Sequence, residues 1–183
     1  MSSVVPFSFY LEGALIWDEV VRMREGEKRG SVGRENVNPY YEEQKYPEPT
    51  VCPRCGLIYQ DGRWQLPETT PDARPHESLC PACRREMDRN PAGLVYLTGG
   101  YFADHREEIL NLARNQEQAA RSTRPLQRIM WIEDRDDGVE IATTSSHLAT
   151  RIAKAVESAC KGSLTIKQAP QEPLVRCYWE RNG

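Results

Sequence analysis

Between Lys45 and Lys154 the chain has no lysine, and all 13 basic side chains in that stretch are arginine. A Gly-rich phosphate loop ending in lysine is therefore missing, and so is a dinucleotide fingerprint. Arginine presents a planar fork of donors that matches phosphate and stacks on bases; a GC-rich genome produces the same bias without functional meaning. Long apolar runs are missing too, none approaching the ~18 residues of a membrane span. The N-terminus lacks a basic region followed by an apolar stretch, so no secretory signal is expected. The expected setting is the cytoplasm, without membrane contact, where thiols stay reduced and available to metal.

Histidine is scarce. His76, His105 and His147 lie far apart in sequence, and no nucleophile–base arrangement can be assembled from them. His105 beside Asp104 reads either as a general base or as a solvated residue at a helix start. Asp134, Asp136 and Asp137 read either as a hard-cation site or as a turn between strands. No catalytic residue is expected, and an enzyme built on His105 and Asp104 is the least favoured class. Net charge is −3, which gives no ground for bulk attraction to nucleic acid. Residues 1–50 carry 6 basic and 9 acidic side chains, whereas residues 51–183 carry 18 of each, so the acidic excess sits in the first segment.

Against these absences stand two Cys-x-x-Cys pairs, Cys52-Pro53-Arg54-Cys55 and Cys80-Pro81-Ala82-Cys83. Each pair can offer two thiolates to one metal edge, and two edges complete the tetrahedral shell of a structural Zn²⁺. Gly56 lets the backbone turn under the first pair. Four thiolates leave no open position for a catalytic water, so the ion expected is a folding staple. Disulfides or a redox pair are the alternatives; the first needs an oxidising compartment, the second normally occurs once beside a βαβ unit. The 24 residues from Gly56 to Leu79 exceed the usual ~15–20 between such pairs. His76 is a candidate substitute ligand or a loop histidine. Cys160 and Cys177 fall at apolar positions of a predicted helix and strand and read as small buried hydrophobes.

The fold expected is α+β: a tail and linker over 1–50, a zinc ribbon over 51–92, and a ferredoxin-like β-α-β-β-α-β domain over 93–183 with an extra C-terminal strand. In the tail, Phe7 to Met23 has the pattern of a short amphipathic helix. In the ribbon, Leu57 to Tyr59 and a strand from Arg63 flank Asp61-Gly62, a hairpin signal. Leu94 to Thr98 is a strand ended by Gly99-Gly100. Asp104 and Glu107 form a capping box for a helix running to about Ser122, with Ile109, Leu112, Ala113, Gln116 and Ala120 on one face. Gln127 to Glu133 and Val139 to Thr143 flank the Asp136-Asp137-Gly138 turn. A second helix starts at Ser145 or Ser146, buries Leu148, Ile152, Ala155, Val156 and Ala159, and ends at Gly162. Leu164 to Lys167 and Leu174 to Glu180 are the remaining strands. The sheet face away from the helices should carry some of Arg128, Glu140, Thr165, Lys167, Arg176 and Tyr178.

Candidate nucleic-acid contacts are Arg84, Arg85 and Arg89 behind the second knuckle, and Arg151 and Lys154 on a helical stripe with His147 and Ser158. A solvated helix face is the plain alternative for that stripe. Trp64 is either a base-stacking platform or a cover over the metal.

Two stretches carry a resemblance: Arg128-Ile-Met-Trp-Ile-Glu, and Asp137-Gly-Val-Glu-Ile-Ala-Thr-Thr-Ser-Ser-His-Leu-Ala-Thr-Arg-Ile-Ala-Lys-Ala-Val. Together with the preceding Cys-x-x-Cys region they resemble the ribosomal large-subunit export adaptor family of eukaryotes and archaea. The chain also looks like a group of short bacterial zinc-ribbon proteins, through Pro47-Glu-Pro-Thr-Val-Cys-Pro-x-Cys-Gly56, Gly62-Arg63-Trp64 and Tyr101 to Asn115. The likeness spans about 47–180. It differs from the adaptor in having two cysteine pairs where the adaptor has more, and nuclear export is not carried over. The resemblance implies RNA or ribosome contact by a non-enzymatic zinc protein, with the N-terminal tail reaching a protein partner. The competing expectation is a protein-interaction adaptor that uses the ribbon without RNA.

Overall fold

Asp61-Gly62 sets the first element pair. Both residues adopt positive φ, 53° and 72°, the left-handed combination that a two-residue type I′ hairpin turn needs. The turn joins β2 (Ile58–Gln60) to β3 (Arg63–Gln65). Its two amides donate to the Glu48 carboxylate at 3.0 and 2.9 Å. β1 (Thr50–Val51) pairs antiparallel with β2 and parallel with β4 (His76–Glu77), giving the order β3-β2-β1-β4.

The computed structural model describes residues 39–40, 45–68, 74–169 and 172–183. The helix expected over Phe7–Met23 lies outside the described residues. The chain divides after Asn36, so the ribbon and the α+β part fall in one unit, Val37–Gly183.

A helix that the sequence reading did not anticipate follows the second cysteine pair: α1 (Pro81–Met87). Its signal is Pro81 at the first helical position, behind Cys80, whose sulfur accepts from the Cys83 amide at 3.4 Å and so acts as the cap.

The larger sheet starts with β5 (Gly93–Thr98). Gly99, at φ 98°, has its Cα so close to Arg181 that an added Cβ would lie 2.3 Å from that carbonyl oxygen. The chain turns there into a short helix, α2 (Gly100–Asp104), before α3 (Arg106–Arg121). Asp104 therefore closes α2, and the expected capping box does not form. His105 takes the junction, stacked on Tyr101 at 4.1 Å, and it makes no side-chain cap bond. β6 (Ile129–Arg135), β7 (Gly138–Thr143), α4 (Ser146–Cys160), β8 (Ser163–Gln168) and β9 (Val175–Glu180) complete the order. The described residues thus form an α+β structure with two sheets and four helices.

The strand order is β6-β7-β5-β9-β8. The first three follow the split-βαβ plan, with β7 antiparallel between β5 and β6. The extra strand departs from an appended one: β9 inserts between β5, its parallel neighbour, and β8, its antiparallel neighbour. Burial explains the placement. Cys177 and Trp179 are fully buried and Val175 nearly so, which suits a central strand, whereas Ile166 of β8 is 40% exposed and takes the edge. Helices α3 and α4 cover one face, where Ile109, Leu110, Leu148, Ile152 and Val156 meet Val95, Leu97, Val139, Ile141 and Trp179. Truncating a fully buried Ile152 to alanine in such a core costs about 2–5 kcal/mol.

Glu140, Thr165, Lys167, Arg176 and Tyr178 share the opposite face, as register shows through Tyr96↔Glu140, Tyr96↔Tyr178 and Arg176↔Lys167. Tyr96 and Tyr178 stack at 4.9 Å, and Lys167 lies 5.4 Å from the Tyr178 ring. Glu140 accepts from Trp131 Nε1 at 3.1 Å and pairs with Arg135 at 2.9 Å. Burial alone would raise its carboxyl, but those two donors outweigh it and hold the group below its usual range. A depressed folded-state value stabilises above the unfolded value of about 4.3 and loses that contribution as pH falls through the folded one. Comparing melting of the wild type with Glu140→Gln across pH should show a deficit near neutrality that closes in acid.

Candidate metal centre

The first knuckle is shaped by backbone geometry. Gly56 N donates to Cys52 O at 2.9 Å and Cys52 N to Leu57 O at 2.8 Å, folding residues 52–57 into a tight loop. The second knuckle is the Cys80 cap and first turn of α1. Together they bring Cys52, Cys55, Cys80 and Cys83 into one group, with all four sulfurs within 4.8 Å of one another. The Cys55 and Cys80 sulfurs are 3.7 Å apart. Cys52, Cys80 and Cys83 are fully buried, and Cys55 is half-buried. No disulfide joins any of the six cysteines. Four cysteines so placed can hold a metal ion. His76, exposed on β4, is not one of the group. Cys160 and Cys177 are buried in the core of the larger domain, as expected of small hydrophobes.

The electrostatics of the group call for a cation. Burial works against the Cys52 thiolate, yet the amides of Cys80, Cys55 and Arg54 aimed at its sulfur prevail and bring it down to about 7. Burial pushes Cys83 up to about 11, with Arg128 pulling the other way. Burial, followed by repulsion from the other three sulfurs, pushes Cys80 up further. Four negative sulfurs cannot share this space without positive charge among them, and a bound ion supplies it by displacing protons.

Part of that charge is already present. Arg128, just before β6, is buried, and its Nη2 lies 3.3 Å from Cys80 Sγ, 3.5 Å from Cys83 Sγ and 3.7 Å from Cys55 Sγ. Its Nη1 lies 3.4 Å from Glu86 of α1, which also faces Arg54 at 3.5 Å. Burial lowers a guanidinium's proton affinity, but the sulfurs and Glu86 reverse this and raise it. Arg128, one of the six candidates for the open sheet face, is thus committed to the cysteine group instead. The signal missed is one of pairing: nothing in the run Arg128-Ile129-Met130 points 45 residues back to Cys83.

Trp64 resolves toward the structural alternative. It is 7% exposed and meets Tyr46 at 5.2 Å and Tyr59 at 5.6 Å, edge to face, in the cluster that also holds the cysteines. No ring face is left for a base.

Two of the three arginines behind the second knuckle make internal contacts. Arg84 donates through Nε to Leu79 O at 3.0 Å and through Nη2 to the Tyr46 hydroxyl. Arg85 is 6% exposed, donates to Asn90 O at 2.9 Å and lies 4.6 Å from the Tyr40 ring. Arg89 is exposed, pairs with Glu133 at 2.5 Å and covers Trp131 at 4.4 Å. Arg151 and Lys154 are exposed on α4, with Arg151 bonded to Gln116 at 2.9 Å. The five candidate cations do not form one patch: three belong to the ribbon side and two to the helix layer.

No helix among the described residues is long and apolar enough to cross a membrane. No family model matches the chain, and no curated protein matches it.

Substituting Cys80 by serine should abolish tight metal binding and lower the melting temperature. Cys160→Ser should leave metal stoichiometry unchanged, and elemental analysis with calorimetry reads both.

Proposed function

We propose that the protein is a zinc protein in which the ion is structural, and that it binds RNA in association with the ribosome without catalysing a reaction. The observation that carries the metal assignment is the closed set of four thiolates. A tetrahedral Zn²⁺ with bonds of about 2.3 Å has S···S edges of roughly 3.8 Å, and the Cys55–Cys80 separation of 3.7 Å fits that edge. Four sulfurs leave no coordination position for substrate or water. His76, His105 and His147 sit on β4, at the α2–α3 junction and on α4, so the reading includes no acid–base group beside the centre.

The RNA reading draws its support from cations without carboxylate partners. Among the described residues, Arg121 and Arg124 at the end of α3 and Arg151 and Lys154 on α4 are exposed and form no ion pair. Unneutralised surface cations of this kind serve phosphate contact. A protein-interaction adaptor is favoured instead by the commitment of Arg84 and Arg85 to internal contacts, which removes two arginines from any phosphate surface.

Ribosome co-sedimentation separates the readings. Association should weaken with salt, the log–log slope changing by about −0.7 per phosphate contact on single strands. The Arg151→Ala/Lys154→Ala double variant should bind less at low salt and show a shallower slope. Absence from ribosomal fractions at low salt rejects the RNA reading. A stable complex that survives nuclease supports the adaptor.

A further inference from the structure

We propose that Arg128 is an outer-sphere clamp on the metal centre, so that ion loading and attachment of the ribbon to the larger sheet are one event. The inference rests on the metal reading above and adds the residue that regulates that site.

The geometry is specific. One guanidinium nitrogen faces three of the four sulfurs at 3.3, 3.5 and 3.7 Å, while the other nitrogen is held by Glu86. Arg128 Nε is buried without a partner, so the side chain is held by its two ends and not by a bidentate carboxylate. A divalent ion with four thiolates carries two negative charges, and Arg128 supplies the nearest buried countercharge. Donors to a thiolate draw electron density from sulfur and orient the ligand, and losing such an outer partner typically weakens metal binding 10–100-fold.

The same residue is anchored in the larger domain. Arg128 N donates to Thr144 Oγ1 at 2.8 Å, Thr144 N donates to Arg128 O at 2.9 Å, and Ile129 N donates to Glu117 at 3.0 Å. Leu126, two residues earlier, packs against the aromatic and sulfur cluster of the ribbon. The segment 126–129 therefore touches the metal ligands at one end and β7 and α3 at the other. Without an ion to fix the four sulfurs in place, Arg128 would keep its burial but lose the fixed arrangement of its acceptors. The ribbon would then detach locally.

Cobalt(II) titration of the reduced full-length protein provides the test, because its sulfur-to-metal charge-transfer band reports electron density on the thiolates. Arg128→Met should bind Co²⁺ and Zn²⁺ 10–100-fold more weakly in chelator competition, with the band shifted to lower energy. Arg128→Lys, which keeps the charge but not the fork, should fall between. Hydrogen exchange should rise at 126–130 and 143–145 in the metal-loaded Met variant. A band and affinity equal to wild type in both variants would overturn the proposal while leaving the metal reading intact. Failure of the wild type to bind either ion would defeat the metal reading itself. If Arg128→Met does not fold, Glu86→Gln is measured instead: a lower-energy band supports the clamp, and an unshifted one refutes it.

Discussion

A guanidinium buried against three cysteine sulfurs is the interaction around which the described structure is organised. Taking a positive charge out of water costs several kcal/mol unless its partners are close and well placed. Arg128 finds those partners only when both knuckles and α1 are in position, since Cys55, Cys80, Cys83 and Glu86 all contribute. Among the described residues the ribbon has only a small apolar cluster besides. Its apolar cluster is confined to Leu57, Tyr59, Trp64, Ala82 and the cysteines, with Tyr46, Leu79 and Leu126 at the margin. A core that small needs a staple. An ion bound by the four cysteines would act on the same sulfurs as Arg128, so the ribbon's internal order and its attachment would share one set of atoms.

Cys80 shows how tightly those roles overlap. Its sulfur caps α1, sits in the metal group and faces Arg128, and its own amide donates to Cys52 Sγ at 3.4 Å. α1 in turn carries Glu86 to Arg128 and Arg85 to the Tyr40 ring. A helix of seven residues is marginal alone; here it persists because its first turn is fastened by cysteine chemistry. Arg84 and Arg85 turn their donors inward for the same reason, fixing α1 against its surroundings.

Features set by local pattern were legible in the sequence. The Asp61-Gly62 turn, the apolar faces of α3 and α4, the Asp136-Asp137 hairpin and the four cysteines were each announced by residues within a few positions. What could not be read depends on partners distant in the chain. Arg128 is drawn from the sheet face to the cysteines, Arg84 is bonded to Tyr46, and β9 is placed between β5 and β8. The capping box at Asp104 failed because Gly99-Gly100 let the chain enter α2 early, a consequence of the close approach to Arg181. Trp64 was ambiguous by composition alone, and only its two tyrosine neighbours settle its role.

The position of β9 bears on how the chain is made. Gly93 of β5 pairs with Val175 on one side and Thr143 on the other, so during synthesis β5 waits with one flank bare until the strand latest in order has emerged. Joining strands so far apart along the chain is entropically slow. In that interval β5 and β8 each present open amides and carbonyls, the kind of edge on which nascent chains stick to one another. The sheet closes only once β9 has been made, so it is not an early scaffold onto which β6, β7 and β8 condense.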